Sequence, residues 1–229
     1  MDDLEVLEAE PTTLGLICLQ QRSHPGDPSS RVTEITLDHE FLMSSHSTVS
    51  EEALAVEGLA LCKGEQLRVL VGGLGLGFTA RAALQDRRVE RLEVIEFLSP
   101  VLAWHAQGRV PLGRELHGDE RFHPRQGDVY AELQGPGEAG FDAILLDVDH
   151  SPDESLGSSR HAFHTAAGLR AASAHLRPGG VLGIWSYAAS PRFASILDEV
   201  FRETRSRELR FHNPVVEEPE TNWLYFGLR

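Results

Sequence analysis

The sequence predicts an α/β fold on a mainly parallel sheet, and three observations carry that reading. From Arg68 onward, strand-like and helix-like segments alternate at short spacing. Two strand-like runs, "RVLVGG" (68–73) and "FDAILLDVD" (141–149), are nearly continuous in apolar residues, as in strands covered on both faces. Between the first run and the next helix lies "LRVLVGGLGLGFTARAAL" (67–84), a glycine-rich turn at the place where such sheets bind ligands.

The elements follow in order. Residues 1–11 read as a flexible acidic tail. Next, "TLGLICLQQR" (13–22) and "RVTEITL" (31–37) are β-rich and flank the turn cluster "SHPGDPSS", which predicts a small β-hairpin module. "VSEEALAVEGLALC" (49–62) has helical spacing, with Val49, Ala53, Val56 and Ala60 on one face and Glu51 and Glu52 suited to a first turn. After the glycine turn come a helix in "TARAALQD" and a strand in "RLEVIEF" (91–97). A helix in "SPVLAWHAQG" opens on a proline, and a weaker strand follows in "ERFHPRQGD". Beyond the run at 141–149, "HAFHTAAGLRAASAHLRPGG" (161–180) reads as a helix closed by its prolyl-glycine end. "VLGIWSY" (181–187), the helix "PRFASILDEVFRE" and a last strand "NWLYFGLR" complete the chain. This divides it into the tail (1–11), a β module with its linking helix (12–62) and a ligand-binding α/β domain (63–229).

The 229 residues are 41% hydrophobic, enough to bury a core, and the net charge is −14. With 21 Lys+Arg against 35 Asp+Glu, the chain lacks the basic surface that a nucleic-acid partner requires. A cationic acceptor suits that field. Cys18 and Cys62 form no metal or disulfide pattern. The acidic start matches no targeting leader, and no apolar run reaches the roughly 18 residues of a membrane span. A cytoplasmic location is expected.

Gly73, Gly75 and Gly77 remove side chains where the backbone bends ahead of a helix N-terminus. Glu96 ends the second strand, 19 residues beyond Gly77, where a carboxylate can accept both hydroxyls of a ribose. "QGDVY" puts Asp128 after the third strand, and "LLDVDHSPD" puts Asp147, Asp149 and His150 after the fourth. Trp185 and Tyr187 follow the fifth and are candidates to wall an acceptor pocket. No third carboxylate accompanies Asp147 and Asp149, so no metal is expected.

In that order, "VLVGGLGLG", "VIEF", "QGDVY", "FDAILLDVDHSP" and "LRPGGVLGIW" resemble the class I S-adenosylmethionine-dependent methyltransferase superfamily, and within it the spermidine-synthase-like branch. The resemblance spans about residues 30–229 and implies a Rossmann-like seven-stranded sheet with helices on both faces. It implies that Gly73, Gly75, Leu76 and Gly77 line the cosubstrate, and that Glu96 holds the ribose beside Phe97. Asp128 reads adenine beside Val129, and Asp147 stands at the reacting end. It also implies a homodimer formed through the β module.

Two departures bear on the donor. Polyamine aminopropyltransferases carry an acid in the glycine loop, roughly G-G-G-D-G-G, where this chain has Leu76. They also carry a glutamine and a Tyr-His-Glu group where "LMSSHSTVSEEALAVEGL" keeps Glu57 but offers His46, Ala55 and Val56. The loss of an acid that pairs with an amine-ended donor favours intact S-adenosylmethionine and transfer of its methyl group to a small amine-bearing acceptor. In that reading Asp149, with Trp185 and Tyr187, holds the acceptor, and His150 takes its proton. Aminopropyl transfer from decarboxylated S-adenosylmethionine is the alternative. A non-catalytic nucleoside binder is another, and "GLGFTA" also satisfies the dinucleotide fingerprint of a nicotinamide-dependent oxidoreductase.

Overall fold

A computed structural model describes residues 3–24, 26–148, 151–153, 162–213 and 218–229. Four antiparallel strands come first, β1 (Glu5–Thr12), β2 (Gly15–His24), β3 (Asp27–Leu37) and β4 (Glu40–Ser44), paired in that order. The expected acidic tail is therefore an edge strand from Glu5 onward. An edge tolerates acids because its outward side chains stay hydrated. Leu7 packs on the core, and Arg31 pairs with Asp3 at 2.8 Å and Glu5 at 3.4 Å.

Helix α1 (Val49–Leu61) leads to a seven-stranded sheet of β5 (Leu67–Gly72), β6 (Val89–Glu96), β7 (Phe122–Gln126), β8 (Phe141–Leu146), β9 (Leu176–Ser186), β10 (Glu203–Asn213) and β11 (Glu218–Leu228). Their spatial order is β10-β11-β9-β8-β5-β6-β7. The five strands from β9 to β7 run parallel, while β11 is antiparallel to both β9 and β10. Helices α2 (Phe78–Gln85), α3 (Ser99–Ala106), α4 (Gly113–His117), α5 (Val129–Leu133), α6 (Ala166–Ala174) and α7 (Pro191–Val200) connect them. This is the α/β fold on a mainly parallel sheet that the alternation of segments predicts, and the Rossmann-like seven-stranded arrangement that the resemblance implies.

The centre of the sheet is buried on both faces, which explains the nearly continuous apolar runs of β5 and β8. Val69, Val71 and Leu145 pack with α1, α2 and α3 and with Ile17, Leu19 and Ile35 of the N-terminal sheet. Leu70, Ile144 and Leu146 pack with α5, α6 and α7. The N-terminal sheet thus shares a core with the glycine-loop side of the domain.

Helix α1 turns a different face inward from the one expected. Val49 and Val56 are 47% and 58% exposed, whereas Leu54, Ala55, Gly58 and Leu59 are buried. Two leucines remove more apolar area from water than two valines, so they set the rotation. Gly58 lets α1 lie close to β8, since a Cβ there would stand 2.7 Å from Leu145 Cδ2.

Two further differences have local causes. The helix expected over 161–180 is interrupted: Ala162 and Phe163 are helical, a turn follows at His164 and Thr165, and α6 then starts with Thr165 Oγ1 accepting from Gly168 N–H at 3.2 Å. Pro178 and Gly179, the latter at φ +81°, then sit within β9, where Gly179 N–H donates to the Arg229 carbonyl. Strand β10 is not evident in the sequence because it is a charged outer strand, with Glu203–Arg205 and Glu208–Arg210 pairs along its surface.

Candidate active site

Chain order reverses between β5 and β8, which lie side by side in the sheet. A crevice outside their carboxyl ends is the natural ligand position. The glycine loop leaves β5 on one side of it and Asp147 leaves β8 on the other. The two turns touch: Asp147 N–H donates to the Gly72 carbonyl at 2.8 Å. Gly73, at φ +88°, has no room for a side chain, because a Cβ would lie 2.2 Å from the Asp147 carbonyl oxygen.

Glu96 ends β6 and is only 7% exposed. Its Oε2 accepts from Leu74 N–H at 2.7 Å and its Oε1 from Leu98 N–H at 2.8 Å. One carboxylate thus ties the glycine loop to the turn into α3. Burial pushes its pKa up, and bonds from the Leu98, Leu74, Gly75 and Phe97 amides oppose the rise.

His105 of α3 lies beneath the same loop, 1% exposed, with Nε2 2.8 Å from the Gly75 carbonyl oxygen. Burial pushes its pKa down to about 4, so the ring is neutral and its Nε2–H donates to that carbonyl. The sequence reading missed His105. The available signal was a histidine in an otherwise apolar helix directly after the Glu96 turn.

Asp147 keeps a partial solvent face, yet crowding around its carboxyl pushes the pKa up to about 6. Thr79 of α2 donates its hydroxyl to Asp147 Oδ2 and opposes the rise. Thr79 is a second residue that the sequence reading passed over.

The other expected positions scatter. Asp128 caps α5, its Oδ1 accepting from Tyr130 and Ala131 N–H at 3.0 and 3.1 Å. Val129 is buried and meets β5, with Cγ1 2.9 Å from a Cβ built at Gly72. Phe97 is 41% exposed beside Glu96. Trp185 packs against the core on the α1 side with its indole N–H buried and unpaired, and Tyr187 stands exposed past β9. Asp149 and His150 lie outside the described residues. Glu57 forms an ion pair with Arg207, and His46 lies against His24 with ring centroids 4.3 Å apart.

Met43 of β4 reaches the glycine loop from the N-terminal sheet. Its sulfur accepts from Leu76 N–H at 3.1 Å and lies 2.3 Å from a Cβ built at Gly75. Leu76 itself is fully buried in the core. A separate cleft of about 380 Å³ lies between Glu57 and Leu61 of α1 and Arg205–Arg207 of β10, away from the glycine loop, Glu96 and Asp147.

No protein-family model matches the chain. It is 29% identical over 141 residues to polyamine aminopropyltransferase 2 of Streptomyces coelicolor, a match covering 60% of this chain and 24% of that protein. It is 30% identical over 128 residues to the polyamine aminopropyltransferase of Prochlorococcus marinus, covering 56% of this chain and 43% of that one. The matches thus span less than half of either relative. Among solved structures, spermidine synthase from Thermotoga maritima superposes with a TM-score of 0.73 at 17% identity, covering 97% of this chain and 72% of the other.

These relatives overturn the expectation of methyl transfer from intact S-adenosylmethionine, since they are named for aminopropyl transfer. The expectation leaned on Leu76, and its burial explains the error. A side chain packed in the core does not confront a donor's tail, so the missing acid there says nothing about that tail's charge. By fold and by sequence, the chain resembles the spermidine-synthase-like branch of the class I S-adenosylmethionine-dependent methyltransferase superfamily.

Proposed function

We propose that this protein is a transferase of the polyamine aminopropyltransferase type, moving an aminopropyl group from decarboxylated S-adenosylmethionine to a small cationic amine. The observation that carries the reading is the position of Asp147, across the β5–β8 crevice from the glycine loop and with a carboxyl pKa of about 6.

The residues present fit the adenosine portion of the donor. Glu96 presents its carboxylate at the carboxyl end of β6, beside the glycine loop that its oxygens tie down, which is where a ribose hydroxyl of the donor would reach it. Both capping bonds to Asp128 fall on Oδ1, which leaves Oδ2 to accept from an amino group on the base. The acceptor's amine lone pair attacks the aminopropyl carbon bonded to sulfur. A C–N bond forms, the C–S bond breaks, and its electron pair stays on sulfur as a neutral thioether. The nitrogen must arrive unprotonated and shed a proton afterwards. Asp147, ionised above about pH 6, is a better proton acceptor than an ordinary carboxylate and holds a cationic acceptor in place. A homodimer belongs to the same reading and is supported by Leu4, Val6, Leu14, Leu16 and Phe41, all exposed on the N-terminal sheet.

Incubation with decarboxylated S-adenosylmethionine and a diamine, followed by mass spectrometry, tests the activity. Methylthioadenosine and an aminopropylated amine are expected, with D147N lowering the rate at least about a hundredfold. Absence of both products across short diamines and polyamines sinks the catalytic reading, and nucleoside binding without turnover would mark a non-catalytic binder.

A further inference from the structure

The three loop glycines are crowded by protein atoms of unequal mobility. A Cβ at Gly73 would meet a backbone carbonyl, and one at Gly77 would meet Leu116 and His105, both buried. At Gly75 the neighbour is the end of one side chain, Met43, which comes from a different sheet and is only partly buried. Methionine is unbranched, and rotation about its side-chain bonds can move the sulfur away with no change in backbone. The bond that it would give up, Leu76 N–H to a thioether, is weak.

We propose that Met43 gates the nucleoside site: its thioether rests on the Gly75–Leu76 backbone and must swing aside before a donor can lie against the glycine loop. This rests on the nucleoside-binding reading above. When the side chain withdraws, the Leu76 amide at the start of α2 is free to donate to a ligand oxygen, and the N-terminal sheet controls entry. A closed form that dominates weakens apparent affinity in proportion to the open fraction.

Calorimetry with 5′-deoxy-5′-methylthioadenosine, a nucleoside without the charged tail, tests the gate on wild type, M43A and M43L. With the open form at about a tenth of the population, M43A binds about tenfold more tightly, while M43L, which still fills the space, stays within about threefold of wild type. The chain has two methionines, so ¹³C-methyl labelling gives two methionine signals, and M43L identifies the one from Met43. That signal must move on saturation of the wild type, a readout that needs no variant to fold well. Equal or weaker binding by M43A, or a Met43 signal that stays put while wild type binds, overturns the gate and leaves the nucleoside reading intact. Binding by neither wild type nor M43A overturns the nucleoside reading, and the gate with it.

Discussion

His105 Nε2–H donates to the Gly75 carbonyl oxygen across 2.8 Å, from a ring that is 1% exposed. Burial keeps the ring neutral by lowering its pKa to about 4, although the Gly75 carbonyl pulls the other way by accepting from Nε2–H. The unfolded chain takes up this proton near pH 6.5, whereas the folded chain refuses it until about pH 4. Stability from this group is therefore complete above pH 6.5 and is lost as pH falls toward 4, by up to about 3 kcal/mol. H105Q removes the titration and should flatten that acid limb in urea melts across the interval. An unchanged slope would show that the ring is not buried neutral.

Glu96 ties two backbone segments at once, so its loss leaves the Leu74 and Leu98 amides without their acceptor. Each unsatisfied buried donor costs about 1–3 kcal/mol, and E96A should lower stability by about 2–5 kcal/mol. E96Q keeps one carbonyl oxygen and should fall about midway. The proposed role adds a second outcome: nucleoside affinity drops at least about tenfold in E96Q, measured by calorimetry under conditions where the variant is folded. An E96Q protein with undiminished affinity would confine Glu96 to loop architecture.

Gly73 and Gly179 have similar positive φ, +88° and +81°, but opposite surroundings. Around Gly179 nothing lies within 4 Å of a built Cβ, while at Gly73 the Asp147 carbonyl stands at 2.2 Å. G179A should cost about 1 kcal/mol, the backbone strain alone. G73A must in addition push the two turns of the crevice apart, and should cost about 4 kcal/mol or more. Thermal melts of the pair compare strain with and without collision; equal costs would mean that the crevice yields freely.

The fold was legible because β5 and β8 are apolar but for Arg68 and Asp142 near their starts, and only a sheet covered on both faces asks for that. Strand β10 was not, because its outer position fills it with arginine and glutamate, and polarity hides an edge strand from any hydrophobic pattern. Glu96 and Asp147 were legible as acids closing apolar strands. His105, Thr79 and Met43 were not, for a shared reason: each acts by touching the loop or Asp147 from an element distant in sequence. Met43 lies 32 residues before Gly75 and His105 lies 30 after it, separations at which spacing carries no information. Leu76 misled because its place in a motif was visible while its direction was not.

Thr79 and Asp147 give the last prediction, and its sign follows from the opposition between them. Burial raises the Asp147 carboxyl to about 6, and the Thr79 hydroxyl holds it lower than burial alone would. A group with a raised folded pKa stabilises the fold below its unfolded value of 3.8, and that contribution fades as pH climbs through about 6. Asp147 therefore works against His105 over the same interval and partly masks its acid lability. D147N should unmask it, giving a steeper loss of stability from pH 6.5 to 4 than the wild type shows. T79V removes the hydroxyl donor, so the carboxyl moves further up, by about one unit for a hydrogen bond to a charged group. If Asp147 accepts the acceptor's proton, the acid limb of kcat/KM for aminopropyl transfer shifts upward by the same amount in T79V. A T79V profile superimposable on wild type, with D147N still inactive, would leave Asp147 essential but free of Thr79's influence.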